Sequence, residues 1–216
     1  MIVTIDGPAG AGKSSVAKAL ARRLGFRFLD TGAMYRAVTL AAIRRGVDLA
    51  DRDALFHLAE GLRIDLRDGH VLLDGEDVSD AIRAVEVTRL SQHVANHSQV
   101  RELLIDVQRQ MAAATDTVTE GRDQGTVAFP HADCKIFLTA SPTERARRRR
   151  RDLQLAGRQV TLAEVLADQQ QRDERDRKRP FGALIKADDA IEVVTDGLSE
   201  AEVVDRIEAL VAKSRG

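Results

Sequence analysis

Ile2-Val3-Thr4-Ile5-Asp6-Gly7-Pro8-Ala9-Gly10-Ala11-Gly12-Lys13-Ser14 is the stretch that decides the fold. Ile2 to Ile5 reads as a short buried strand. Residues 7–14 fit G-x-x-x-x-G-K-[ST] at every fixed position, and an apolar stripe of Val16, Leu20 and Leu24 predicts a helix from Lys13 to about Leu24. Gly25 then stands where helices commonly end in a left-handed residue. A strand before the glycines and a helix after them distinguish a phosphate-binding loop from a chance glycine-rich turn. In such a loop successive backbone N–H groups curl around a β-phosphate, and the helix offers its positive end to the same anion. The expected nucleotide contacts are therefore Gly7, Pro8, Ala9, Gly10, Ala11, Gly12, Lys13, Ser14 and Ser15. Lys13 is suited to span the β- and γ-phosphates of ATP, and the Ser14 hydroxyl to bind Mg²⁺.

Outward from this loop the pattern alternates. Phe26 to Leu29 reads as a second strand, followed by a helix from about Ala33 to Arg45. Thr117–Glu120, Lys135–Leu138 and Ala190–Val194 read as further core strands, and helical periodicity runs from Val85 to Met111. Ser199, with Glu202 three residues on, carries the capping-box pattern of a closing helix. Between about residues 62 and 78 the period shortens to two. Asp68-Gly69 and Asp74-Gly75 are hairpin turn signals there, so a small antiparallel element interrupts the βα alternation. The expected fold is α/β: a parallel five-stranded sheet covered by helices on both faces, with a small antiparallel insert and a helical lid.

The 216 residues suffice for one sizeable α/β domain. Aromatic residues are 3% of the chain and Trp is absent, so the core has to be built from Leu, Val, Ile and Ala. The formal net charge of −1 gives no global basic field for nucleic acid. Basic residues nonetheless cluster at 145–151 and 172–179, either as solvated helix faces or as anion sites. The single cysteine, Cys134, excludes an intrachain disulfide and reads as a small buried residue beside a strand. The five histidines share no metal-ligand spacing. With no secretory pattern at the amino terminus and no apolar run long enough to span a bilayer, a cytoplasmic location without membrane attachment is expected.

The loop alone does not say what becomes of the nucleotide. A GTPase would carry Asn-Lys-x-Asp, which is absent, and a motor or transporter ATPase would be larger. Here the third core strand runs into Glu120-Gly121-Arg122-Asp123, and an arginine directly after the strand suggests a second anion. A small-molecule kinase fits best.

Asp30-Thr31-Gly32-Ala33-Met34-Tyr35-Arg36, the segment from Glu120 to Val127, Lys135 to Ser141, Glu144 to Arg149 and Arg172-Asp173-Glu174-Arg175-Asp176 together resemble bacterial cytidylate kinases, in the expected order and over nearly the whole chain. The resemblance implies one nucleoside monophosphate kinase domain. Its core would comprise about residues 1–31, 86–142 and 188–216, with a monophosphate-binding part at about 32–85 and an Arg-rich lid at about 143–187. It implies ATP as donor, Mg²⁺, CMP or dCMP as acceptor, and a monomer with no nucleic-acid partner. By matching positions, Arg36 and Arg122 hold the acceptor phosphate, and Thr31, Asp123, Arg172 and Asp176 surround the monophosphate and ribose. Arg101 and Arg179 face the cytosine edge. Lys13, Arg122, Arg148 and Arg149 are the residues expected to stabilise the transferring phosphoryl, because guanidinium forks suit the equatorial oxygens of phosphate.

Two departures stand out. Gln92 occupies a base-side position where the family often has Ser, and Ala183 stands where a loop proline is usual. Rival readings also stay open. Glu144 and Arg148 are four apart and could form a surface pair, as could Arg147, Arg150 and Arg151 with their neighbours. The acceptor could instead be UMP or a shikimate-like metabolite, or the chain could be a nucleotide-binding protein that contacts RNA.

Overall fold

The computed structural model describes residues 1–214 apart from 68 and 156. Five strands, β1 (Ile2–Asp6), β2 (Arg27–Asp30), β6 (Thr117–Gly121), β7 (Cys134–Thr139) and β8 (Ile191–Val194), form a sheet in the order β2-β6-β1-β7-β8. β1 pairs in parallel with β6 and β7, and β7 with β8. The parallel sheet expected from the alternation is present. A hairpin cannot join parallel neighbours, so helices make the crossovers.

The chain divides into two compact units, Met1–Phe28 with Thr115–Gly216, and Leu29–Ala114. The core of the first is aliphatic. Val3, Ile5, Val118, Ile136, Leu138 and Val193 from the strands pack with Val16 and Leu20 of α1 (Lys13–Leu24) and Val204, Ile207 and Val211 of α8 (Glu200–Lys213). Ser199 caps α8 in the predicted box: its hydroxyl accepts from Glu202 N while Glu202 accepts from Ser199 N. Gly25 ends α1 at φ 69°. α6 (Pro142–Leu155) and α7 (Leu162–Arg177) complete this unit.

The second unit holds α2 (Thr31–Arg44), α3 (Arg52–Glu60), α4 (Val85–Ala95), α5 (Ser98–Ala112) and a three-stranded antiparallel sheet, β3 (Ile64–Arg67), β4 (His70–Leu73) and β5 (Glu76–Asp77). The period-two reading sets its register. Ile64 opposes Leu73 and Leu66 opposes Val71, and all four are buried on one face. The Asp74-Gly75 signal is realised as a two-residue turn with φ 52° and 90°, and it adds the very short β5. Asp68, half of the other turn signal, lies outside the described residues.

Three features differ from the sequence expectations. Residues 52–60 form a helix that the sequence expectations do not include, although Asp51 caps it and Leu55, Leu58 and Ala59 share its buried face. The helical pattern from Val85 to Met111 is two helices: the buried His97 breaks it by capping α5, its ring accepting from Val100 N at 3.4 Å, while its other ring nitrogen meets Arg52 O at 2.8 Å. Finally, α4 and α5 pack on α2 and α3 in the second unit, whereas the expectation grouped residues 86–114 with the core.

Candidate active site

The loop between β1 and α1 bends at Gly7, Gly10 and Gly12, with φ of 151°, 79° and 90°. At Gly7 a Cβ would lie 1.9 Å from Leu138 O, so only glycine lets the loop lie against β7. Lys13 is buried, and its Nζ donates to Pro8 O at 2.9 Å. Burial, and then the Arg122 guanidinium, pull its pKa down to about 7, with Arg172 adding to the repulsion and Glu120 and Asp6 opposing it. Ser14 Oγ donates to Glu120 Oε1 at 2.8 Å.

Behind the loop, β6 delivers Glu120, Arg122 and Asp123 and then enters a π-helical turn, Gln124–Ala128. Asp6, at the end of β1, clamps this turn: its carboxylate accepts from Gln124 N at 2.9 Å and Gly125 N at 2.7 Å. Burial pushes the Asp6 pKa up to about 6 against the pull of those two amides. Asp123 is buried, and its carbonyl accepts from Val127 N and Ala128 N.

α7 supplies the counter-charges. Asp176 accepts from Arg122 Nε at 2.8 Å and from Arg179 Nη2 at 2.6 Å, with all three side chains largely buried. Burial works against its carboxylate, but the two guanidinium groups more than offset this and hold Asp176 below the ordinary carboxylate range. Burial likewise opposes the charge of Arg122, while Asp176, Glu120 and Asp6 hold it above the usual guanidinium range. Arg179 also donates to Gly182 O at 3.3 Å. Arg172, exposed at its surface, has no hydrogen-bond partner among the described residues. Desolvation by the surrounding chain, and then Arg122, lower it to about 10, with Arg149 and Arg175 contributing.

α6 splits its arginine run into distinct fates. Arg147, Arg150 and Arg151 are exposed, matching the surface reading. Arg148 lies with Nη1 close to Gly12; it pairs with Glu144 at 3.0 Å and donates to Thr195 Oγ1 at 2.9 Å and Thr195 O at 2.7 Å. Arg149 is exposed and acts on Arg172 through charge. Arg145, a residue to which the sequence reading gave no role, is fully buried.

The remaining expected residues belong to the second unit. Asp30 caps α2, accepting from Ala33 N at 2.8 Å, and Thr31 is buried in the first turn. Arg36 curls back over that turn to meet Asp30 at 3.3 Å, and its buried Nε has no hydrogen-bond partner among the described residues. Gly32 makes room, since a Cβ there would lie 3.1 Å from Arg36 Nη1. Arg101, buried on α5, donates to Ala95 O at 3.2 Å and stacks over the Tyr35 ring at 5.3 Å. Gln92 is exposed on α4.

Ser14 and Glu120 together offer a hydroxyl and a carboxylate, hard oxygen donors that suit Mg²⁺. Among the described residues no group of three or more His, Cys, Asp or Glu side chains is assembled for a metal. Mg²⁺ is usually held by one or two protein oxygens together with substrate phosphates and water, and this pair would supply the protein's share. Asp6 and Glu120 went unassigned in the sequence reading. Their signal was available in the carboxylates that end the two central strands beside the loop.

A glycine loop feeding a helix from the middle strand of a parallel sheet, with buried cations gathered behind it, defines a P-loop kinase. A shikimate kinase from Bacteroides thetaiotaomicron shares the fold at a TM-score of 0.51 and 17% identity, over 98% of each chain. The family model described as cytidylate kinase matches residues 3–213. A cytidylate kinase of Rhodopirellula baltica is 51% identical over 98% of this chain and 92% of its own length, and one of Desulfitobacterium hafniense is 48% identical over 96% and 91%. A bifunctional pantoate ligase/cytidylate kinase of Synechococcus sp. (strain WH7803) is 49% identical over 97% of this chain and 44% of its own length. The chain belongs to the cytidylate kinase family and is an enzyme of that family.

Proposed function

We propose that this enzyme transfers the γ-phosphoryl group of ATP to CMP, and to dCMP, by direct in-line attack of an acceptor phosphate oxygen, serving pyrimidine nucleotide metabolism. The observation that carries this reading is the gathering of Lys13, Arg122 and Arg172 near the phosphate loop, where burial first and then the Arg122 charge lower both Lys13 and Arg172. A fold that gathers like charges in this way gains when a polyanion neutralises them. Phosphoryl transfer needs little more than positioned cations to stabilise charge on the equatorial oxygens.

In this reading residues 7–15 hold the donor phosphates. Lys13, Arg122, Arg148 and Arg149 stabilise the phosphoryl in flight. Ser14, with Glu120 beside it, holds Mg²⁺, which neutralises donor phosphate charge when bound. Arg36 and Arg122 bind the acceptor phosphate, with Thr31, Asp123, Arg172 and Asp176 around the monophosphate and ribose. Arg101 and Arg179 read cytosine. The attacking oxygen is already anionic, so no general base is required. We place the reaction in the cytoplasm, with the chain acting as a monomer and residues 143–187 as its lid. The deciding experiment incubates the protein with ATP and Mg²⁺ against a panel of nucleoside monophosphates and shikimate. CMP and dCMP should be the best acceptors, and preferential turnover of any other acceptor would overturn the reading.

A further inference from the structure

Arg145 stands first in the arginine run, yet it is 3% exposed and spends its guanidinium on three separate parts of the chain. Nε donates to Ala140 O at 3.1 Å, where β7 leads into α6. Nη1 donates to Ala9 O at 2.9 Å, in the middle of the phosphate loop. Nη2 pairs with Asp173 Oδ2 on α7 at 2.7 Å, and both side chains are 4% exposed. The Arg145 carbonyl in turn accepts from the buried Gln169 Nε2 at 3.2 Å.

Two consequences follow from covalent geometry. A trans peptide points its C=O and N–H in opposite directions, and the described chain has no cis bond. Holding Ala9 O on Arg145 therefore turns the Gly10 N–H away from Arg145. Pro8 O likewise accepts from Lys13, as well as from Ala11 N, so the Pro8 and Ala9 carbonyls are both held by cations and the amides that follow them point the other way. Gly10 closes the fit, since a Cβ there would lie 2.7 Å from Gln169 Nε2 and 3.3 Å from Arg145 Cβ. On α7 the buried stripe is Val165, Gln169, Asp173 and Asp176. Gln169 and Asp173 bind Arg145, and the next residue of the stripe holds Arg122 and Arg179.

We propose that Arg145 is a positioning residue for donor phosphate, fixing the Ala9–Gly10 peptide for anion binding and, through Asp173, locking α7 to that loop. On this view the C-terminal half of α7 is anchored to the loop. The proposal rests on the donor reading above, and its deciding readout, ADP binding, needs no acceptor.

ADP affinity is measured by titration calorimetry in the parent, in Arg145→Lys, in Asp173→Asn and in the double variant, with kcat/KM for ATP and thermal midpoints alongside. A lysine keeps the charge beside Asp173 but cannot offer a planar fork to three acceptors. Arg145→Lys should weaken ADP and lower kcat/KM for ATP by about 10- to 100-fold, the scale of a small misplacement. Asp173→Asn, nearly isosteric, should lower the same two quantities by a few fold, and it decides the matter if the lysine variant does not fold. The double variant should be no worse than the weaker single, because one device is lost in both. ADP affinity at the parent value in the folded variants means Arg145 is scaffold only and overturns the proposal, as do single losses that multiply in the double. A parent that binds no ADP sinks the donor reading itself, and this inference with it.

Discussion

Asp6 at the end of β1 and Lys13 at the start of α1 feel each other's charge and have pKa values pushed in opposite directions, up to about 6 and down to about 7. Phosphate oxygens near Lys13 favour its charged form, so its stabilising effect is exerted where nucleotide charge develops. Lys13→Ala should lower kcat by roughly two orders of magnitude or more. Steady-state kinetics check this, and a variant changed only in KM for ATP would contradict it. For Asp6 the sign is that of an acid favoured in its neutral form on folding. Its contribution to stability is present in full below about pH 4 and is lost as pH rises through 6, on the order of 3 kcal/mol over that window. The unfolding free energy of the parent minus that of Asp6→Asn should therefore fall between pH 4 and pH 7. Denaturant titrations at several pH values measure the difference, and parallel pH curves would refute it. Catalysis should run the other way, since the two amides of the π-helical turn are best served by the carboxylate.

At the level of elements, the lid expectation becomes a narrower one. α7 starts with a complete capping box, Thr161 accepting from Glu164 N and Glu164 accepting from Thr161 N, so its first turn is well defined. The preceding Arg158 is exposed. Trypsin should cut at the exposed basic residues between 150 and 158, and more slowly when ATP and CMP are both present. Cutting indifferent to ligand, followed by mass spectrometry of the fragments, would argue against closure. The elements also show what a sequence can reveal. The phosphate loop and the Asp74-Gly75 turn were legible because each is fixed by local backbone demands. The break at His97 was not, because a cap made by a histidine ring carries no common sequence signal, whereas the helix at 52–60 does carry one in Asp51 as its cap and Leu55, Leu58 and Ala59 on one face. Arg145 was invisible for a related reason. One arginine in a run resembles the next, and what separates it from Arg147 is Ala9, 136 positions away, and Asp173 on another helix.

For the whole molecule the property to test is base selectivity, which the proposed function gives to Arg101 on α5 and to Arg179 just past α7. Cytosine offers acceptors at O2 and N3 that suit guanidinium groups, whereas uracil presents a donor at N3. Leaving a buried donor unpaired costs about 1–3 kcal/mol, so CMP should exceed UMP in kcat/KM by roughly 5- to 150-fold. Gln92, exposed on α4, can turn its amide either way toward an amine or a carbonyl at position 4, and should discriminate little. Kinetics with both acceptors in the parent and in Gln92→Ala test this: UMP equal to CMP removes the arginines as readers, and selectivity lost only in the variant assigns it to Gln92. The stacking of Arg101 on Tyr35 has one more consequence. The chain has a single tyrosine and no tryptophan, so its near-ultraviolet emission comes from that one ring. A molecule that draws Arg101 off that ring, 5.3 Å away, changes the ring's surroundings, so Tyr35 emission offers a label-free optical reading of where Arg101 sits.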